Sequence, residues 1–204
     1  MKTITTSTNV YTAQELKENY PAAYKKALEE YRRDNQEYPL PWGDEIMQSM
    51  KETFKHAGIT LRDWEISPYS QSYVKFDMDN EVFDLSGPRA VAWLENNLYA
   101  PLRLTKVTKA QLGYNRSYTN GAHPYEIGKI PPCPLTGYCA DEDMIESLNK
   151  SVASGRTLGE SFQGLAGVAR RLMESEVEDN DSEECFLDMA TGNDWQFTID
   201  GKLF

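Results

Sequence analysis

Residues 59–78 read Ile-Thr-Leu-Arg-Asp-Trp-Glu-Ile-Ser-Pro-Tyr-Ser-Gln-Ser-Tyr-Val-Lys-Phe-Asp-Met, and this stretch decides the fold class. It predicts two strands, Ile59 to Ile66 and Tyr69 to Met78, separated by Ser67-Pro68. In the second, Val74, Phe76 and Met78 share one face while Tyr73, Lys75 and Asp77 share the other. Alternation with period two means a sheet with one wet face, the habit of antiparallel pairs. On both sides the period changes to that of helices, so strands and helices are interspersed without a βαβ rhythm. The expected class is α+β: a small antiparallel sheet with several packed helices and a long central loop.

Upstream, Thr12-Ala13-Gln14-Glu15 is a capping box that starts a helix, after a β-prone segment from Thr3 to Tyr11. Leu16, Tyr20, Tyr24, Leu28 and Tyr31 recur at helical steps. Pro21 breaks that face, which predicts one helix to about Asn19 and a second from Pro21 to about Asn35. Tyr38 to Trp42 forms a stiff Pro-containing connector. Asp44 then opens a helix carrying Ile46, Met47, Met50, Phe54 and Ala57, ended by Gly58.

Downstream, Asp79-Asn80 supplies a turn, and Ser86-Gly87-Pro88 caps a helix with Val91, Leu94 and Leu98 facing the core. Leu102 to Val107 reads as a further strand, and residues 113–137, rich in Gly, Pro, Asn and Tyr, as a long loop. Asp141 caps a helix bearing Met144, Leu148 and Val152. A second capping box at Thr157-Leu158-Gly159-Glu160 begins one run through Phe162, Leu165, Val168, Ala169 and Leu172. Ser182 caps a short helix that Gly192 ends, and Trp195 to Ile199 reads as a terminal strand closed by Asp200-Gly201. In chain order the parts are an N-terminal α+β region at 1–107, a basic loop or insertion at 108–140, and an acidic helical region with a terminal strand at 141–204. The expectation is that they pack as one unit.

Charge divides the chain more sharply than hydropathy does. The 204 residues carry 21 Lys and Arg against 32 Asp and Glu, a net of −11, with 40% hydrophobic and 11% aromatic residues. Residues 101–140 hold 5 basic and 1 acidic side chains, whereas residues 141–204 hold 5 and 15. Between Glu174 and Asp188 eight of fifteen residues are acidic and none is basic. Such a surface repels nucleic acid and anionic membrane, so direct DNA binding and membrane binding are not expected. No signal-peptide-like apolar run opens the sequence and no stretch of about 18 apolar residues occurs. Three cysteines, an odd number, fit free thiols in a reducing cytosol. The expected location is cytoplasmic.

Three motifs together carry a resemblance. They are the helix start Tyr11-Thr12-Ala13-Gln14-Glu15-Leu16, the segment Tyr69-Ser70-Gln71-Ser72, and the closing Asn193-Asp194-Trp195-Gln196-Phe197-Thr198-Ile199-Asp200-Gly201-Lys202. In this order they resemble a family of small hypothetical proteins of phages and other mobile elements. The resemblance covers most of residues 1–100 and the last 25 or so, but not the central loop. It brings no catalytic assignment. It implies an accessory protein acting in the cytosol of a bacterial host. Ser72-Tyr73 departs from the small, Gly-containing continuation of the family's aromatic-Ser-Gln motif.

The glycine-rich phosphate cradle, the dinucleotide fingerprint, the His-Glu-x-x-His helix and the Gly-x-Ser-x-Gly elbow are all missing. No cofactor is expected, and a non-enzymatic role is favoured. Cys133, Cys139, Cys185 and His123 supply soft ligands, but the Cys-x5-Cys spacing departs from that of structural zinc sites. Asp77, Asp79, Glu81 and Asp84 cluster like a cation site or like a solvated strand end. The partner-binding candidates fall into three groups. Glu174, Glu176, Glu178, Asp179, Asp181, Glu183 and Glu184 form an acidic face resembling phosphates. Tyr69, Gln71 and Tyr73 form a strand face, and Arg116, Tyr118 and His123 an aromatic and cationic loop.

Two functional readings follow. One is a phage or mobile-element factor that binds and inhibits a host nucleic-acid-handling or defence protein, in the manner of an anti-CRISPR, its acidic face meeting a basic partner. The other is a small enzyme or ligand-binding module with a site between the 69–73 strand and the central loop.

Overall fold

The computed structural model describes residues 8–37, 42–99, 106–107, 126–127 and 133–204. It shows an α+β chain, mostly helical among the described residues, with a small two-stranded antiparallel sheet and a second, shorter strand pair. Its packing cuts across the order of the sequence. Residues 1–40 and 175–204 form one compact unit, and residues 41–174 form a second.

In the first unit α1 (Ala13–Asn19) begins where the sequence places it. The Thr12 hydroxyl accepts from the Glu15 amide, and the Glu15 carboxylate accepts from the Thr12 amide at 2.8 Å. Pro21 opens α2 (Pro21–Glu37), whose Ala23, Tyr24, Ala27 and Leu28 are buried. The helix α9 (Glu183–Gly192) starts at Ser182, whose hydroxyl accepts from the Cys185 amide at 3.0 Å. These helices bury one core with Phe186, Ala190 and Phe197. Phe186 stands at its centre, with the rings of Tyr24, Tyr31 and Phe197 at 5.7, 5.3 and 5.9 Å.

The terminal strand expected over Trp195 to Ile199 is reduced to a single paired residue. Phe197 exchanges backbone hydrogen bonds with Tyr11 at 2.8 and 2.9 Å and bridges to Leu203 on its other side. The reason is local: the chain reverses at once, with the Gly201 amide bonding to the Thr198 carbonyl, and beyond Tyr11 the α1 cap claims Thr12. Of the β-prone segment ahead of Tyr11, residues 3–7 lie outside the described residues.

In the second unit α3 (Gly43–His56) buries Ile46, Met50 and Phe54, and the chain leaves it through Gly58 at φ 70°. Asp44 does not cap it. Trp42 holds the cap position without a side-chain bond, and Asp44 sits in the first turn, where a carboxylate favours the helix dipole. Residues 38–41 of the connector lie outside the described residues. The strands β1 (Thr60–Glu65) and β2 (Tyr73–Asp77) pair antiparallel with Leu61 opposite Phe76 and Trp64 opposite Val74; a bulge lies between Leu61 and Asp63. Val74 and Phe76 turn inward, the latter 5.2 Å from Phe54 and 6.4 Å from Phe162, and Tyr73, Lys75 and Asp77 face water as expected.

The second strand is shorter than predicted because Tyr69 to Ser72 belong to the loop. Pro68 has no amide to donate, and the Ser72 hydroxyl accepts from the Ser67 amide at 3.1 Å, which diverts the backbone from the ladder.

Asp79 caps the short α4 (Asn80–Phe83) through the Glu81 amide. The helix α5 (Gly87–Leu94) continues into a wide π turn over Glu95–Tyr99, burying Ala90, Leu94, Leu98 and Tyr99. Two short strands, β3 (Lys106–Val107) and β4 (Glu126–Ile127), pair antiparallel, while residues 100–105, 108–125 and 128–132, which hold the rest of the expected strand and most of the expected central loop, lie outside the described residues.

In α6 (Ala140–Ala153) Met144, Ile145, Leu148 and Val152 are buried. Asp141 lies inside the helix and does not cap it: its buried carboxylate accepts from the Leu135 and Thr136 amides at 2.8 and 2.7 Å, pinning the preceding turn. The expected run after Thr157 breaks at Gly164 into α7 (Leu158–Gln163) and α8 (Leu165–Asn180). Gly159 lies so close to the Phe83 ring that a Cβ there would stand 2.2 Å from it.

Candidate functional site

The acidic stretch lies on the end of α8, the turn at Asp181 and the start of α9. Its carboxylates are not equivalent, because some are neutralised within the fold. Glu174 pairs with Arg170 one turn before it at 3.3 Å. Glu183 receives the Lys17 ammonium at 2.8 Å and the Tyr24 hydroxyl at 2.9 Å. The bond from Lys17, then that from Tyr24, holds the Glu183 carboxyl below its usual range. Burial, reinforced by the same carboxylate, pushes the Tyr24 hydroxyl up, so Tyr24 acts as a donor.

Arg32 serves the backbone of the stretch. Its Nε donates to the Asp181 carbonyl at 2.7 Å, while the Asn35 amide donates to the Asn180 carbonyl at 3.2 Å. A cation and an amide thus satisfy carbonyl groups where α8 ends, the favourable place for positive charge. These tethers from α2 fix the turn that presents the remaining acids.

Glu178, Asp179, Glu184 and Asp188 are exposed, and none has an ion pair or side-chain hydrogen bond among the described residues. Glu184 and Asp188 are one helical turn apart on α9, about 5–6 Å between their Cβ atoms. Glu176 and Asp181 are half-buried.

Among the described residues every lysine and arginine of the first unit has a partner other than the exposed four. Lys17 and Arg32 are engaged as above, and Lys25 pairs with Glu29. Lys26 donates to the Asp200 carbonyl, Arg33 pairs with Asp34 and Lys202 with Asp200. By sequence the unit holds 7 Lys and Arg against 15 Asp and Glu, and residues 41–174 hold 14 against 17. The acidity of the chain therefore belongs mainly to one folded unit, and the exposed Glu178, Asp179, Glu184 and Asp188 are among its uncompensated carboxylates.

The other candidates are placed elsewhere. Tyr69 and Gln71 are exposed in the loop between β1 and β2, not on a strand, and belong to the second unit. Tyr73 is on β2 but is already occupied: its hydroxyl donates to Asp63 at 3.2 Å, and Lys75, bonded to the same carboxylate at 2.9 Å, lies 4.9 Å over its ring. The Lys75 bond holds the Asp63 carboxyl below its usual range. Arg62 pairs with Asp77 beside this network, so the wet face of the sheet is largely self-neutralised. Arg116, Tyr118 and His123 lie outside the described residues.

Cys133 and Cys139 belong to the second unit and Cys185 to the first, where its Sγ lies 3.3 Å from the Tyr31 hydroxyl. Burial, then the neighbouring Cys139, pushes the Cys133 thiol up, the wrong direction for a nucleophile. Of the strand-end carboxylates, Asp77 is taken by Arg62 and Asp79 by the α4 cap. Among the described residues no three His, Cys, Asp or Glu side chains lie together as metal ligands. Nor is any helix there long and apolar enough to cross a membrane.

Sequence reasoning missed Lys17 and Tyr24, which engage Glu183, and Arg32, which holds the backbone of the acidic stretch. In the sequence Tyr24 stands only as one of five residues at helical steps, and its spacing from Lys17 and Arg32 along α1 and α2 is the available signal. Comparison with known proteins leaves this geometry to stand by itself: no protein-family model, no curated protein and no solved structure matches the chain.

Proposed function

We propose that the chain is a binding protein of a phage or mobile element. Its acidic unit occupies the nucleic-acid-binding surface of a basic host protein, one that handles nucleic acid or serves in defence. The observation that carries this reading is the set of uncompensated carboxylates, Glu178, Asp179, Glu184 and Asp188, in a unit whose described lysines and arginines are all engaged. Carboxylates held on two helices replace phosphates on a cationic surface, and the gain is the release of ions from both partners. No chemistry is needed beyond presentation, which agrees with a stretch anchored by backbone tethers. The motif resemblance supplies the mobile-element and host-cytosol setting.

The test is displacement. The chain is immobilised in bacterial lysate, and captured protein is eluted with double-stranded DNA. Elution by DNA is expected, together with loss of capture in a Glu178→Gln, Asp179→Asn, Glu184→Gln, Asp188→Asn variant. Capture that withstands DNA and survives the four substitutions contradicts the proposal.

A further inference from the structure

A groove of about 300 Å³, open to solvent, lies in the first unit between the start of α1 and the end of α9, lined among others by Thr12, Gln14, Thr191, Asp194, Trp195 and Gln196. Asp194 is the residue to explain. It follows the last turn of α9 with φ 53°, its amide bonding to the Thr191 carbonyl and the next amide, that of Trp195, to the Ala190 carbonyl. That position takes a left-handed backbone, which glycine, asparagine and aspartate adopt more readily than other residues, so the conformation itself is no surprise. It also places a carboxylate at the negative end of a helix, where a cation is preferred. Among the described residues Asp194 has neither an ion pair nor a side-chain hydrogen bond, and every described cation of the unit is engaged elsewhere. What distinguishes Asp194 is an exposed, unpaired carboxylate at the carbonyl end of α9, next to Trp195 in the groove wall and therefore open to a cation from outside.

We infer that the Asp194–Trp195 groove is a socket for an arginine side chain of the basic partner. This deepens the proposed function and rests on it for the partner. The carboxylate and the α9 carbonyl end supply the charge. The Trp195 indole, held by Tyr31 edge-on at 6.2 Å, supplies a surface on which a guanidinium stacks. Gln14 uses its amide nitrogen on Glu18 at 2.7 Å, which leaves its carbonyl oxygen to accept a further guanidinium N–H. A lysine ammonium meets the charge but has no plane to stack, so arginine is the preferred occupant.

The experiment is an NMR titration of the full chain with N-acetyl-arginine-N-methylamide and its uncharged citrulline counterpart, following the Trp195 indole N–H. The arginine probe is expected to shift that signal to saturation. Citrulline, and the arginine probe on Asp194→Asn, are expected to bind about tenfold more weakly. Asparagine tolerates the same backbone conformation, so the variant keeps its fold. The Glu178→Gln, Asp179→Asn variant is expected to retain the shift. A Trp195 signal that does not move, that moves equally with citrulline, or that is indifferent to Asp194→Asn overturns the inference. The two readings separate: if the socket responds while DNA fails to displace the captured protein, the acidic-face proposal falls and the socket stands.

Discussion

Asp141 shows how much one buried residue organises. It is fully buried, yet its carboxylate accepts from two backbone amides and from the Thr136 hydroxyl at 3.0 Å, and Thr136 in turn meets the Ser49 hydroxyl of α3 at 3.2 Å. Asp141→Ala removes the shared acceptor of a half-buried Leu135 and an exposed Thr136, so the second unit is expected to lose about 2 kcal/mol in chemical denaturation. A loss below about 1 kcal/mol shows that the turn finds other acceptors. Gly201 is the counterpart in the first unit. At φ 81°, a Cβ would stand 2.3 Å from the Ala23 carbonyl oxygen of α2. Gly201→Ala is therefore expected to cost about 2–3 kcal/mol, read as an earlier thermal transition of that unit. An unchanged transition means that the hairpin shifts freely. The sequence showed both residues but gave each a local role, as helix cap and as turn glycine. The distant groups they meet leave no mark in local periodicity.

At the scale of elements, the helix starts with capping boxes were the most legible feature. Thr12 with Glu15 and Thr157 with Glu160 each form both reciprocal bonds. Caps are readable because they involve only residues three apart. The strand boundary at Tyr73 was not, because Ser67 and Ser72 compete for backbone groups through their hydroxyls, and hydrophobic alternation does not report that competition.

The clamp of Lys17 and Tyr24 on Glu183 joins α1 and α2 to α9, and it carries a pH signature. The folded carboxyl lies below its unfolded value, so its stabilising effect is complete above about pH 5 and fades as pH falls through the unfolded and then the folded value. Wild type is expected to exceed Glu183→Gln in melting temperature at pH 7, with the gap closing below about pH 4. A gap that is constant across this range contradicts the clamp.

At the scale of the whole molecule, the division into units could not be read in chain order. Helix and strand periods report which face of an element is buried, not which element covers it. Residues 1–40 and 175–204 come together across more than a hundred intervening residues. The charge count did point the right way: the acidity assigned to residues 141–204 is concentrated after Glu174, and in the fold it joins α1 and α2 in a unit with 7 basic against 15 acidic side chains. What the count could not say is which carboxylates remain free, since that depends on Lys17 and Tyr24 at Glu183 and on Arg170 at Glu174.

The central claim is that these free carboxylates do the binding by replacing phosphates. The most direct measurement is the affinity of the chain for its captured partner against salt concentration, for wild type and for the variant with Glu178, Asp179, Glu184 and Asp188 neutralised. The account predicts that log K falls linearly with log salt in the wild type, and that the slope flattens by up to about one for each carboxylate removed. An affinity indifferent to salt, or a slope that the four substitutions leave unchanged, contradicts it.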